Sequence, residues 1–83
     1  MELKQLEAFV SVAETGSFSG AARRMFLTQP TVSTHIATLE KELNIRLFER
    51  TTKTLSLTED GRNLLKLASR MFEIKSAILE YSS

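Results

Sequence analysis

The chain has 83 residues, 42% of them hydrophobic and 25% charged, which is the composition of one small soluble domain and excludes two separately cored ones. Eleven Lys and Arg against ten Asp and Glu leave a formal charge of +1, which by itself selects no partner. Without Cys, with a single His, and without any apolar run near the roughly 20 residues of a membrane span, the sequence offers no disulfide framework, no thiolate metal site and no transmembrane segment.

In chain order, Leu3, Leu6, Phe9, Val10 and Ala13 recur at helical spacing, with Glu7, Ser11 and Glu14 on the other side, predicting a first helix over about residues 3–15. Gly16 is suited to a left-handed stop. Ser17 or Ser19 then caps a short second helix whose apolar positions are Phe18, Ala21, Ala22 and Met25. Residues 26–28 form a turn, in which Phe26 is expected to be a packing residue. Thr28 is a cap candidate, and Pro30 is tolerated in a first helical turn. The third helix runs to about Leu43 on a stripe of Val32, Ile36, Leu39 and Leu43, with His35 at its border in a local hydrogen bond, and Asn44 takes the terminating position. In residues 47–58, Thr51, Thr52, Thr54 and the alternation Leu55-Ser56-Leu57 predict a short two-stranded hairpin with Lys53 near its tip. Thr58, Glu59 and Asp60 start a fourth helix that reaches about Tyr81 and spans about 36 Å.

The charge is unevenly spread. Thr15 to Leu39 holds no acid, but it has Arg23, Arg24 and eight Ser or Thr. Leu43 to Thr58 adds Arg46, Arg50 and Lys53 against Glu49 alone, so the two segments together carry +4. Arg23 and Arg24 supply one solvent-facing or ion-paired side chain and one candidate for backbone contact. A basic, hydroxyl-rich surface suits a nucleic-acid backbone, and a solvated face with ordinary cations is the alternative. The third helix adds to this. Opposite its core stripe lie Pro30, Thr31, Thr34, Thr38 and Lys41, with Gln29 on the flank, while Glu40 and Glu42 sit at the far end. Thr is a weak helix former, so helix stability does not explain this face. Gln can pair bidentately with adenine, and Thr can offer its methyl to thymine.

These features converge on a family. Residues 16–61 resemble the winged helix-turn-helix of LysR-type transcriptional regulators: the Ala21-Ala22 pair, Thr28-Gln29-Pro30, Val32-Ser33, Leu39-Glu40 leading into Leu43, Leu47-Phe48-x-Arg50-Thr51 and Leu57-Thr58-x-x-Gly61 occur in order at matching spacing. The resemblance extends over essentially the whole chain. It implies a mainly α fold, with three helices and a two-stranded wing over residues 1–57 and a linker and dimerisation helix over residues 58–83. It implies that Gln29, Pro30 and Thr31 begin a base-reading recognition helix, with Thr34 also facing bases where the family often has Arg. Thr28, Ser33, Thr38, Arg50 and Lys53 are the implied backbone and wing contacts, with Arg50 at the wing base and Lys53 against the minor groove.

On the fourth helix, Leu64, Met71 and Ile78 occupy one heptad position and Leu67, Ile74 and Tyr81 another. Leu65, Phe72 and Leu79 widen this stripe. An inner edge covering the domain and an outer edge meeting a second copy account for the width, which fits the family's linker-helix dimer. The reading of the whole is sequence-specific binding of double-stranded DNA at a pseudo-palindromic operator, by a homodimer, as part of a bacterial, cytoplasmic, nucleoid-associated transcription regulator. No cofactor and no metal are expected. A small-molecule effector would act only through a C-terminal domain expected to be absent from this chain. The rival reading is a protein-interaction module, since winged helices and exposed amphipathic helices also bind proteins. An enzyme is not expected, because no nucleophile–base pair is present.

Overall fold

The computed structural model describes residues 1–51 and 53–82. Thr52, one of the threonines behind the expected extended segment, and Ser83, the end of the expected linker helix, lie outside the described residues. The elements are α1 (Leu3–Thr15), α2 (Phe18–Met25), α3 (Gln29–Leu43), β1 (Phe48–Arg50), β2 (Leu55–Leu57) and α4 (Glu59–Ser82).

Short-range chemistry fixes the boundaries. Gly16 ends α1 in the left-handed region at φ 76°, where a residue without Cβ is unstrained. Ser17 caps α2, its Oγ accepting the Gly20 N–H at 2.9 Å. Thr28 caps α3, and Asn44 closes it at φ 56°. Thr58 caps α4 through the Gly61 N–H at 2.9 Å, and its own hydroxyl donates to the Arg46 carbonyl at 2.5 Å, so the cap also ties α4 to the wing.

Two expectations for α1 are corrected. Ser11, placed on the outer side, is buried, and Leu3, placed on the core stripe, is exposed. The reason is that α1 packs against α2, α3 and α4, so its buried arc is wider than a single-faced pattern implies and is rotated away from Leu3. Gln5 is buried as well, and its Oε1 accepts the Glu2 N–H at 3.2 Å at the helix start.

The core joins Leu6, Phe9 and Val12 of α1, Ala21 and Ala22 of α2, Val32, Ile36 and Leu39 of α3, Leu47 and Phe48 at the wing base, and Ala68 of α4. Each large apolar side chain fully buried here contributes about 1.5–3 kcal/mol. Phe26 is corrected too. It ends α2 at φ 57° with its side chain 95% exposed, so it is not packed among the described residues. Its backbone is committed to the turn, because its N–H bonds back to the carbonyls at the end of α2. His35 is half-buried at the border of the stripe as expected, but its side chain makes no hydrogen bond among the described residues.

The wing is an antiparallel pair in the register Phe48↔Leu57, Glu49↔Ser56 and Arg50↔Leu55. Its turn has no Asn-Gly signal. It closes instead on Thr51 and Thr54: the Thr51 N–H donates to the Thr54 carbonyl at 3.0 Å, and the Thr51 hydroxyl oxygen accepts the Thr54 N–H at 3.0 Å. At the other end of the wing, Glu40 of α3 accepts the Leu47 N–H at 2.7 Å and fixes the strand to the helix.

The helix α4 splits along its length. Leu64, Leu65, Ala68, Met71 and Phe72 pack against the core, and every residue from Glu73 to Ser82 is exposed. Among the described residues no helix is long and apolar enough to cross a membrane.

Candidate nucleic-acid interface

The first turn of α3 is presented, not packed. Thr28, Gln29, Pro30 and Thr31 are all exposed. The Thr28 hydroxyl oxygen accepts the Thr31 N–H at 3.3 Å and lies 2.7 Å from the Thr31 hydroxyl, so the cap organises this end from within. Thr34 and Thr38 continue the same exposed face toward the middle of α3, and Ser33 is half-buried beside it.

The wing folds back toward this turn. Gln29 from α3, Ser17 and Ser19 from the start of α2, and Arg50, Thr51 and Lys53 from the wing line one open cleft of about 360 Å³. Three of the sequence-predicted site residues, Gln29, Arg50 and Lys53, are therefore brought together from two elements distant in sequence. Neither Arg50 nor Lys53 has an acidic partner among the described residues. The Lys53 N–H donates to the Thr51 hydroxyl oxygen at 3.3 Å, which anchors the backbone at the wing tip and leaves the ammonium to solvent. The guanidinium carbon of Arg50 stands over the Phe18 ring, 4.5 Å from its centroid.

Arg24 is the ion-paired member of its pair, bound to Glu14 at 2.5 Å, and Arg23 is exposed. A second cleft, between α1 and α4, is lined by Glu14, Glu73 and Glu80 among others. Among the described residues, the α1–α4 cleft thus has acids and no cation in its lining, and the α3–wing cleft has cations and hydroxyls and no acid. This polarity is what a polyanion needs.

On α4 the six positions of the heptad pattern divide. Leu64 and Met71 pack against the chain's own core. Leu67, Ile74, Ile78 and Tyr81 are 60%, 60%, 61% and 94% exposed. Beside Leu67 lies a small apolar hollow bounded by Met1, Leu6, Leu64, Ala68 and Met71.

A family model described as bacterial regulatory helix-turn-helix protein, lysR family, matches residues 3–62. The chain belongs to the LysR family. Relatives agree. An uncharacterized HTH-type transcriptional regulator from the ibpB-leuC intergenic region of Azotobacter vinelandii is 53% identical over 74 residues, covering 89% of this chain and 51% of that protein. The HTH-type transcriptional regulator CitR of Bacillus subtilis is 42% identical over 73 residues, covering 88% of this chain and 25% of that protein. The chain therefore spans about half the length of one of these curated relatives and about a quarter of the other. Among solved structures, the BenM DNA-binding domain in complex with catB site 1 DNA matches at TM-score 0.94 and 33% identity, over 99% of this chain and 91% of that one. Full-length CbnR, a LysR family transcriptional regulator, matches at TM-score 0.90 and 34% identity, over 99% of this chain and 28% of that one. The LysR fold, with its helix-turn-helix and two-stranded wing, is thus present in this chain.

Two contacts of this site do not follow from the sequence signals, which mark Phe18 as an apolar position of α2 and Glu40 as an acid at the far end of α3 and a member of the Leu39-Glu40 pair. The signal for Phe18 is its place at the first turn of α2, at the edge of the core, where a ring can face outward. Glu40 joins Leu47 across a loop, a pairing that helical periodicity does not encode.

Proposed function

We propose that this chain is the DNA-binding part of a bacterial LysR-type transcription regulator and that it binds double-stranded DNA sequence-specifically as a homodimer. The observation that carries the reading is the cleft that brings Gln29, Arg50 and Lys53 together with Ser and Thr hydroxyls and with no acid among the described residues that line it. The likeness to the BenM DNA-binding domain, solved in complex with DNA, supports the same conclusion.

In this reading residues 1–57 are the winged helix-turn-helix. The start of α3 enters the major groove, where Gln29, Pro30, Thr31 and Thr34 meet base edges. Thr28, Ser33 and Thr38 contact the flanking backbone, Arg50 binds a phosphate from the turn end of β1 and not from the wing base the resemblance implied, and Lys53 lies along the minor groove. Residues 58–83 are the linker helix. Its exposed Leu67, Ile74, Ile78 and Tyr81 meet the same helix of a second copy, while Leu64 and Met71 back that seam from the chain's own core. Two copies then present two recognition helices to the half-sites of a pseudo-palindrome. The role is binding, not catalysis, and the place of action is the nucleoid in the cytoplasm. Effector sensing is assigned to a separate domain of the kind the longer relatives have room for.

Selection from a random duplex library tests the reading. Enrichment of a sequence with two related half-sites supports it, and recovery of unrelated sequences from a protein that remains folded opposes it.

A further inference from the structure

A chain of aromatic contacts runs from the centre of the domain to the base of the wing. Phe9, fully buried in α1, meets Phe48 of β1 with ring centroids 5.5 Å apart. Phe48 meets Phe18 edge-on at 6.1 Å. Phe18 turns its face to the guanidinium of Arg50, 4.5 Å from the ring centroid. The first two rings are core, the third is half-buried, and the cation is exposed.

We propose that Phe18 is a positioning residue for Arg50, holding its guanidinium at the turn end of β1 ready for a DNA phosphate. The inference rests on the DNA-binding reading above. Arg has a long, flexible stem, and leaving it free in solution raises the entropy lost on binding. A carboxylate partner would fix it, but would neutralise the charge and occupy the N–H donors that a phosphate needs. An aromatic face attracts the cation through its quadrupole and presents neither a compensating charge nor a lone pair. Arg50 has no acidic partner among the described residues, so the ring restrains it while its donors stay available. Phe18 is itself held by Phe48, so the position of the cation is set by the core and not by the exposed turn of the wing.

The test combines one spectroscopic and one binding readout. Arg50 Nε–H is observed by NMR in the unaltered chain, in Phe18→Tyr and in Phe18→Leu. The proposal expects a ring-current displacement that survives in the Tyr variant and disappears in the Leu variant. Affinity for a fluorescent duplex of generic sequence is measured for the same proteins and again in an Arg50→Ala background. Phe18→Leu should weaken binding about two- to fivefold when Arg50 is present, Phe18→Tyr should not, and Phe18→Leu should add nothing once Arg50 is removed. An undisplaced Arg50 signal in the unaltered chain overturns the contact, and needs no variant to fold. An equal loss from Phe18→Leu with and without Arg50 reduces Phe18 to a packing residue and overturns the positioning role. A folded, unaltered chain that fails to bind the duplex at low salt overturns the DNA-binding reading and the phosphate assignment together, while the NMR signal still decides whether Phe18 holds Arg50.

Discussion

Gly61, in the first turn of α4, lies directly against the backbone carbonyl of Leu47 at the base of the wing. A Cβ at Gly61 would overlap that oxygen and would meet the Leu57 side chain at 3.0 Å. The same carbonyl accepts the Thr58 N–H at 3.0 Å, so it has little freedom to retreat. This close approach seats the long helix on the hairpin. Gly61→Ala is expected to destabilise the fold by about 1–3 kcal/mol, despite the better helix propensity of Ala, because the backbone must give way. Chemical denaturation checks it, and an unchanged or raised midpoint contradicts the close seating.

Phe26 presents the opposite case. A bulky residue in the left-handed region costs about 1–2 kcal/mol, and this one recovers nothing by burial. Phe26→Asn keeps the turn with a residue that tolerates this backbone, and should leave stability unchanged or raise it by up to about 1 kcal/mol. A drop in thermal midpoint would mean that the ring packs in the folded chain after all.

These two positions show where the sequence was informative and where it was not. Gly16, Thr28, Asn44 and Thr58 mark helix ends through contacts within a few residues, and each was legible. The second strand was legible from Leu55-Ser56-Leu57, whereas Thr51 and Thr54, expected in extended structure, form the turn instead, and β1 falls on Phe48–Arg50. Ser11 and Leu3 were misplaced because three helices, not one, decide which face of α1 is buried. Phe26 was misread because apolarity suggests packing, while only the backbone geometry reveals that the side chain points outward. Within the candidate site, the residue types were legible, but the meeting of Gln29 with Arg50 and Lys53 in one cleft depends on how the wing folds back.

Gln29 carries the expectation of base reading. Gln29→Ala should cost about 1–3 kcal/mol on a selected duplex and little on a generic one. Equal losses on both, measured by fluorescence anisotropy, contradict base reading.

Lys53 is expected to act through charge alone. Lys53→Ala should weaken binding to all duplexes alike and lower the slope of log K against log salt by about one per chain. An unchanged slope removes it from the phosphate contacts.

Ile74 sits mid-way between Leu67 and Tyr81 in the row of exposed apolar residues on α4. Ile74→Glu should weaken self-association at least about tenfold, equivalent to about 1.4 kcal/mol, by placing an unpaired carboxylate in an apolar seam. Far-UV circular dichroism should still show a folded chain. A dimer of undiminished strength in sedimentation experiments contradicts the proposed seam.

In the proposed complex, two copies of this chain together hold one duplex through a cationic surface. Sedimentation equilibrium of the protein with a selected duplex at several salt concentrations tests it most directly. Two chains per duplex are expected, with an affinity that falls steeply with salt, each neutralised phosphate adding about 0.9 to the slope. A folded dimer that leaves the duplex free even at low salt would contradict it and turn the α3–wing surface toward a protein partner instead.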